Sequence, residues 1–344
     1  MIRSREIRLK TFPKGKMTQD NFELATVSVA LPAEGEVLVR NLWLSVEAGM
    51  RVMMFESDIK EITDAVPGFH IGKPIHSFAI GQIIESRHAG FPKGSYVMGV
   101  FNWQEYFTAS GAGMRIVDPT LVPVQYYLGV MGLLGAPAYF GLLDVGKITA
   151  GETVVVSTAA GMVGLVACQV AKLMGCRVVG ITGSDEKVDW LVNELGIAAA
   201  INYKKVANLQ DAIEATCPEG IDVYFDNVAG KILEAAINLM KVHGRILACG
   251  TTQEYDGGAS AWPANFLKII QKRISVLGFS ILDYLERMPE YQAQMSLWID
   301  EGKIRPRETV YEGIENAVAA WIGLLEGRNI GKMLVKLGDP DKVG

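Results

Sequence analysis

The sequence predicts an α/β protein in which a mostly β half precedes a six-stranded, doubly wound parallel sheet. Three observations predict it. The chain has 344 residues, long for a single core and suited to two domains. Up to about residue 127 the signals are short, β-like and broken by Pro-Gly punctuation. From Gly129 onward β-branched runs alternate with helical patterns, which implies βαβ units.

In the first half, Glu36–Leu44 (EVLVRNLWL), Gly81–Glu85 and Tyr96–Phe101 read as strands, with turns at Pro67-Gly68 and Pro92-Lys93-Gly94. In the second half, Thr153–Thr158 is a strand and Gly161–Gly175 its helix. Arg177–Thr182 is the next strand and Asp185–Leu195 the next helix. Ala199–Tyr203 and Ile221–Asn227 follow, then the helix Lys231–Val242 and the strands Arg245–Gly250 and Ile274–Phe279. The tail, with a strand at Thr309–Glu312, a helix at Ile314–Glu326 and a strand at Lys332–Leu337, has no seventh unit to join and is expected to return to the first domain. The expected domains are therefore 1–127, completed by 304–344, and 128–303.

Composition narrows the function. Hydrophobic residues make up 49% and charged residues 21%, a globular balance with a formal net charge of −5 and no basic run. That argues against nucleic acid and anionic membrane as partners, because phosphate binding relies on clustered Lys and Arg. Cys168, Cys176, Cys217 and Cys249 are scattered without a CxxC pair, so neither a disulfide framework nor a four-thiolate zinc site is expected. The setting expected is reducing and cytoplasmic. The start, MIRSREIRLK, is too charged for the apolar stretch of a signal peptide. The uncharged run Thr153–Ala171 approaches the length of a membrane span. Its β-branched stretch, small-residue turn and helical pattern mark a buried strand leading into a helix instead.

That turn is Ala159-Ala160-Gly161-Met162-Val163-Gly164, a glycine fingerprint with Ala in place of the first glycine. Gly161 would let backbone approach a pyrophosphate, and Gly164 would allow close helix–strand packing. The phosphates would then sit on free N–H groups at a helix N-terminus. Alone the motif is weak; between a strand and a helix, inside six such units, it points to a dinucleotide. The second strand ends in Ile181-Thr182-Gly183-Ser184, with no acid for a ribose 2′-OH. Lys187 follows within reach of a 2′-phosphate, which favours NADP(H). The alternative is that Lys187 is a solvated helix residue, with Asp185 and Glu186 suiting the helix's first turn.

The runs AAGMVGLVACQVAKLMGCRVVGITGSDEK, INYK and YFDNVAG, with LWLSVEAGMR before them and GRNIGKMLVKL after, resemble the medium-chain dehydrogenases/reductases. The likeness is to the branch holding prostaglandin reductases, plant double-bond reductases and bacterial curcumin reductase-like proteins, and it covers nearly the whole chain. It implies a GroES-like catalytic domain, a Rossmann domain and a C-terminal return to the first. By resemblance Gly161, Met162, Val163 and Gly164 line the pyrophosphate, and Lys187 and Tyr203 bind the adenosine end. Asn227 is a cofactor contact, Cys249 to Tyr255 and Phe279-Ser280-Ile281 take the nicotinamide side, and Asn329 contributes from the tail. A homodimer is expected. Where the family commonly reads Val-Asp-Pro-Tyr-Met-Arg, this chain has Val46-Glu47-Ala48-Gly49-Met50-Arg51, so the pocket wall is expected to be reshaped.

Zinc-dependent relatives need a Cys/His/acid set and four clustered cysteines. Here no cysteine precedes Cys168, and Gly72-Lys73-Pro74-Ile75-His76 lacks a His-Glu pair. His70, His76, His88 and His243 read as loop or surface residues, so no metal is expected. Another donor must then stabilise the oxygen that turns negative when hydride reaches a conjugated C=C bond. Tyr255 is the family-matched candidate. The sequence leaves open whether it moves a proton, polarises the carbonyl or only covers the nicotinamide. The expected function is NADPH-dependent reduction of α,β-unsaturated ketones or aldehydes. The alternatives are an NADPH-dependent quinone oxidoreductase and a non-catalytic NADPH-binding sensor.

Overall fold

The computed structural model describes residues 1–54, 68–252, 255 and 263–341. Pro67 of the expected Pro67-Gly68 turn, and Gln253 and Glu254 of the loop before Tyr255, lie outside them. The chain forms two compact units, Met1–Leu128 with Glu308–Gly344, and Gly129–Arg307.

The first unit is mostly β. β1 (Ile2–Leu9) and β2 (Phe22–Val29) form an antiparallel ribbon. β3 (Val37–Ser45), β4 (His76–Ser86), β5 (Tyr96–Asn102) and β7 (Arg115–Val117) run antiparallel in one sheet, and β6 (Tyr106–Ala109) also pairs with β3. The ribbon is missing from the sequence reading because IRSREIRL is rich in charge, which hides the alternation. Packing resolves it: Ser4 and Glu6 are buried with Ile7 and Leu9, Ser4 Oγ bonds Tyr106 O at 3.0 Å, and Glu6 pairs Arg8 at 2.6 Å.

The second unit is the doubly wound sheet. β8 (Thr153–Ser157), β9 (Arg177–Thr182), β10 (Ala199–Asn202), β11 (Ile221–Asp226), β12 (Met240–Ala248) and β13 (Ser275–Gly278) are all parallel. Their spatial order is β10-β9-β8-β11-β12-β13. In chain order this is 3-2-1-4-5-6, the dinucleotide-binding arrangement, and its switch point lies between β8 and β11. α1 (Ala136–Phe140) precedes the sheet; α2 (Met162–Leu173), α3 (Asp185–Asp189), α4 (Leu209–Thr216), α5 (Gly230–Leu239) and α6 (Leu267–Lys272) connect its strands; α7 (Met288–Asp300) follows. Val154, Val155 and Val156 of β8 are fully buried, as a strand covered on both faces requires.

Several elements differ from expectation. α3 passes into a π-helical turn at Trp190–Glu194. The helix expected to reach Val242 stops at Leu239, because β12 starts at Met240 and pairs with Ile221 before a register shift. α4 was not expected at all, although Asn208 caps it by accepting from Gln210 N and Asp211 N.

The chain then re-enters the first unit. β14 (Glu308–Glu312) and β15 (Lys332–Lys336) lie parallel, α8 (Ala317–Leu325) connects them, and β15 pairs with β3. The uncharged run from Thr153 is β8 followed by α2. Among the described residues no helix is long and apolar enough to cross a membrane.

Candidate functional site

In a sheet of this order the strands' C-terminal ends present the binding residues. β8 ends at Ser157, and Thr158 turns the chain with φ +50°. Gly161 is the extended N-cap of α2 (φ −81°, ψ 172°), so the helix points its first N–H groups outward with no intrahelical acceptor. The second glycine has a packing cause. A Cβ on Gly164 would lie 2.2 Å from Thr158 O and 2.9 Å from Ala159 Cα, so the helix meets its own strand too closely for any side chain. Met162 and Val163 are half-buried in the first turn.

At the other side of β8 the tips of β9 and β10 converge. Tyr203 N donates to Thr182 O at 3.0 Å, which sets Tyr203 and Lys204 beside Gly183. A Cβ on Gly183 would stand 3.2 Å from Tyr203 Cε1 and 3.3 Å from Lys204 Cε. Lys187 lies one turn into α3, and Ser184 Oγ caps that helix by accepting from Lys187 N at 3.4 Å. Burial, and then the neighbouring Lys204 ammonium, lower the pKa of Lys187. Lys187 is partly desolvated beside the exposed Lys204, and two neighbouring ammonium groups favour an anion. Asp185 does not spoil this. Its carboxylate is engaged by Asn202 Nδ2 at 2.6 Å and by Lys205. These residues fit a 2′-phosphate. Lys204 escaped the sequence reading because only the parallel register, Asn202 against Thr182, brings it to the second strand's tip.

Across the switch point, β11 ends at Asp226 and Asn227 follows it, both buried. Asn227 Nδ2 donates to Ser157 O at 2.7 Å, and Asn227 N donates to Ser157 Oγ at 2.8 Å. Cys249 N and Gly250 N donate to Asp226 O at 2.9 and 3.1 Å, and Thr252 N donates to Asn227 O at 3.2 Å. Tyr255, half-buried, is reached from there by its N–H on Thr252 O at 3.4 Å. Burial, and then the Asp226 charge, push the Cys249 thiol up to about 12, so it is no nucleophile. Phe279 lies half-buried with its ring 6.4 Å from that of Phe225, Ser280 caps the next turn by accepting from Leu282 N, and Ile281 begins that turn. The structure thus brings Gly161, Met162, Val163, Gly164, Lys187, Tyr203, Asn227, Cys249, Tyr255, Phe279, Ser280 and Ile281 to strand ends and following turns of one sheet. Asn329 belongs to the first unit, buried, with Nδ2 on Gly331 O at 2.7 Å.

No group of three or more His, Cys, Asp or Glu that could hold a metal ion occurs among the described residues. His88 Nδ1 accepts from Gly90 N at 3.0 Å, and the His76 ring packs against Phe69 at 5.0 Å.

Residues 5–117 match the family described as the N-terminal domain of oxidoreductase, and residues 163–297 match the one described as zinc-binding dehydrogenase. The chain is 37% identical over 341 residues to (+)-pulegone reductase from Mentha piperita, covering 97% of this chain and 98% of that protein. It is 37% identical over 339 residues to the NADP(+)-dependent 2-alkenal reductase of Nicotiana tabacum, covering 97% of each. Among solved structures, CurA from Vibrio vulnificus in complex with NADPH superposes with a TM-score of 0.88 at 38% identity, over 98% of this chain and all of that one. The match runs end to end at well over 30% identity, through the glycine fingerprint and both units, so the chain belongs to the zinc-independent branch of the medium-chain dehydrogenases/reductases that holds the prostaglandin, alkenal and double-bond reductases.

Proposed function

We propose that this protein is an NADPH-dependent reductase of the conjugated C=C bond in α,β-unsaturated ketones and aldehydes. The observation that carries the reading is the end-to-end identity with a relative named for NADP-dependent reduction of 2-alkenals. The paired lysines at the β9 and β10 tips support NADPH over NADH.

In this reading α2 receives the pyrophosphate on the N–H groups of Met162, Val163 and Gly164, and Lys187, Lys204 and Tyr203 hold the 2′-phosphate. Asn227, Cys249, Phe279, Ser280 and Ile281 would border the nicotinamide side, and Asn329 is read by resemblance as a further cofactor contact. NADPH, when bound, supplies the hydride. The protein's own task is the charge that develops on the substrate's carbonyl oxygen as its β-carbon is reduced. The Tyr255 hydroxyl donates a hydrogen bond to that oxygen, in the manner of an oxyanion hole. The expected reshaping of the pocket wall falls at Gly49, which is exposed, and among the described residues nothing lies within 4 Å of a Cβ placed there.

NADPH oxidation, followed anaerobically with an alkenal, a cyclic enone and a quinone, tests the reading. Turnover of the quinone alone would replace it with quinone reduction, and tight NADPH binding without any turnover would make the protein a sensor. Tyr255→Phe should lower kcat on the enone by about tenfold, the low end for loss of one such donor. NADPH affinity should stay near wild type. Equal, undiminished turnover of enone and quinone by this variant would remove Tyr255 from the chemistry.

The same reading makes the chain a cytoplasmic homodimer. Four free cysteines support the reducing compartment. β13 supports the dimer: it is the last strand of its sheet, its Val276 is 47% exposed, and Leu267 and Ile270 of α6 are 62% and 64% exposed. An uncovered apolar edge invites strand pairing with a second copy. A sedimentation mass of one 37.4 kDa chain at micromolar concentration would exclude that dimer.

A further inference from the structure

Asp226 is a carboxylate buried at 3% exposure, at the switch point of the sheet, and the hydride transfer outlined above gives it no task. Its Oδ1 accepts from Val228 N and Ala229 N at 3.0 Å each and from Tyr224 OH at 3.1 Å, and Ser157 Oγ stands 3.3 Å away. Its backbone carbonyl takes the N–H groups of Cys249 and Gly250. One residue therefore ties together the ends of β8, β11 and β12.

The backbone around it is strained. Ala229, the N-cap of α5, has φ +68°, and Thr158, next to Ser157, has φ +50°. Neither is glycine, and a side chain is disfavoured in this region. Such a conformation persists only where its surroundings impose it. At Ala229 the imposing group is the Asp226 carboxylate, which holds the N–H of Val228 and of Ala229 together. That turn fixes Asn227, whose carbonyl receives Thr252 N, and Thr252 in turn receives Tyr255 N.

We propose that Asp226 is a positioning residue: it locks Cys249, Gly250 and Thr252, and through Thr252 the backbone of Tyr255, against the end of the strand that leads into the glycine fingerprint. Asp226 touches neither cofactor nor substrate. It acts through the 226–229 turn, and the link to catalysis rests on the reading of Tyr255 given above. The two substitutions remove different parts of this arrangement. Alanine offers no acceptor, and asparagine keeps one oxygen for the same donors but without the charge, so it is the milder change.

The test uses the NADPH-loaded full chain, with Asp226→Ala, the milder Asp226→Asn, and Ser157→Ala, which weakens the same tie from the β8 side. Amide hydrogen exchange at Cys249, Gly250 and Thr252 is read first. We expect these amides to exchange on the order of tenfold faster in Asp226→Ala than in wild type, as expected for local opening, with Val154–Val156 of β8 unchanged. Turnover per bound NADPH should fall on the order of ten- to a hundredfold, as small misplacements at a reacting centre do. The NADPH dissociation constant should shift by less than about threefold, because the phosphate contacts remain. The double variant Asp226→Ala/Tyr255→Phe should lose less than the product of the two single losses. Wild-type exchange in the loop, or wild-type turnover per bound NADPH with only a lower melting temperature, would overturn the proposal. If Tyr255→Phe alone turns over at the wild-type rate, the reading of Tyr255 fails by itself, and the exchange measurement still decides for or against the lock.

Discussion

The two sides of the nucleotide-binding sheet hold charge and shape in opposite ways. Around β8 and β11 the site is built from close backbone geometry: the approach of Gly164 to Thr158 and Ala159, and the turn in which Asp226 Oδ1 accepts from Val228 N and Ala229 N. At the tips of β9 and β10 it is built from side chains that reach into water. Tyr203 is 41% exposed, Lys204 is exposed, and Asp185 and Lys205 pair on the surface. The difference teaches what each side can tolerate. Geometry fails when one atom is added. Charge fails only when the charge is removed, and salt can weaken it without touching the fold.

The largest effect should come from the geometric side. In Gly164→Ala the new Cβ would meet the Thr158 carbonyl at 2.2 Å, a backbone atom that cannot rotate away. The variant should lose on the order of 3 kcal/mol in urea unfolding, the upper range for overpacking. It should also bind NADPH poorly. A wild-type unfolding midpoint would show that α2 can move off its strand, and the contrast between the two sides would collapse.

Next comes the charged side. Lys187→Ala should raise the NADPH dissociation constant roughly ten- to a hundredfold, the loss of a charge-assisted phosphate contact worth about 1.5–3 kcal/mol. Lys204→Ala should do the same more weakly, because that side chain is more exposed. Unfolding should be unaffected in both, and NADH affinity unchanged. Added salt should weaken NADPH binding to wild type more than to Lys187→Ala. Salt-independent binding would mean that the lysines do not meet the phosphate.

The smallest effect lies in the first unit, where a buried charge lacks the ring of donors that Asp226 has. Glu308 on β14 faces Lys332 on β15 across the parallel register. Burial pushes the Glu308 carboxyl up to about 7, against a weaker opposing pull from its Gln125 hydrogen bond and Lys332. Burial likewise pulls Lys332 down to about 8, against Glu47 and Glu308, while its Nζ donates to Val46 O at 2.7 Å. A carboxyl with a raised folded pKa binds its proton more tightly folded than unfolded. Its contribution to stability therefore falls as pH rises from about 4.5 to about 7, and the full penalty remains above. Glu308→Gln keeps the shape and removes the penalty, while Lys332 loses one attraction. The net expectation is a gain of about 1 kcal/mol at pH 8 and none near pH 4.5. A melting-temperature difference that is the same at both pH values would refute this assignment.

Much of this protein is legible in one dimension. The fingerprint Gly161-Met162-Val163-Gly164 lies between strand and helix because a β-branched run, small residues and a helical pattern follow in that order, and local periodicity needs no partner to be read. The missing acid after Thr182 is equally local. β1 was not legible, because Ser4 and Glu6 are buried by partners about a hundred residues away or on the same strand, and polarity in the sequence reads as exposure. Nor was the start of β12 at Met240, since its pairing with Ile221 is a tertiary fact.

The sequence by itself determined the parallel sheet, the dinucleotide fingerprint and the family, because these rest on spacing within a few turns of chain. Only the tertiary structure decided that Lys204 joins Lys187, that Asp185 turns away to Asn202 and Lys205, and that Asp226 joins three strand ends. Each of these depends on strands that are neighbours in the sheet but distant in the chain. Register, set by backbone hydrogen bonds between them, is what carries a side chain to its partner.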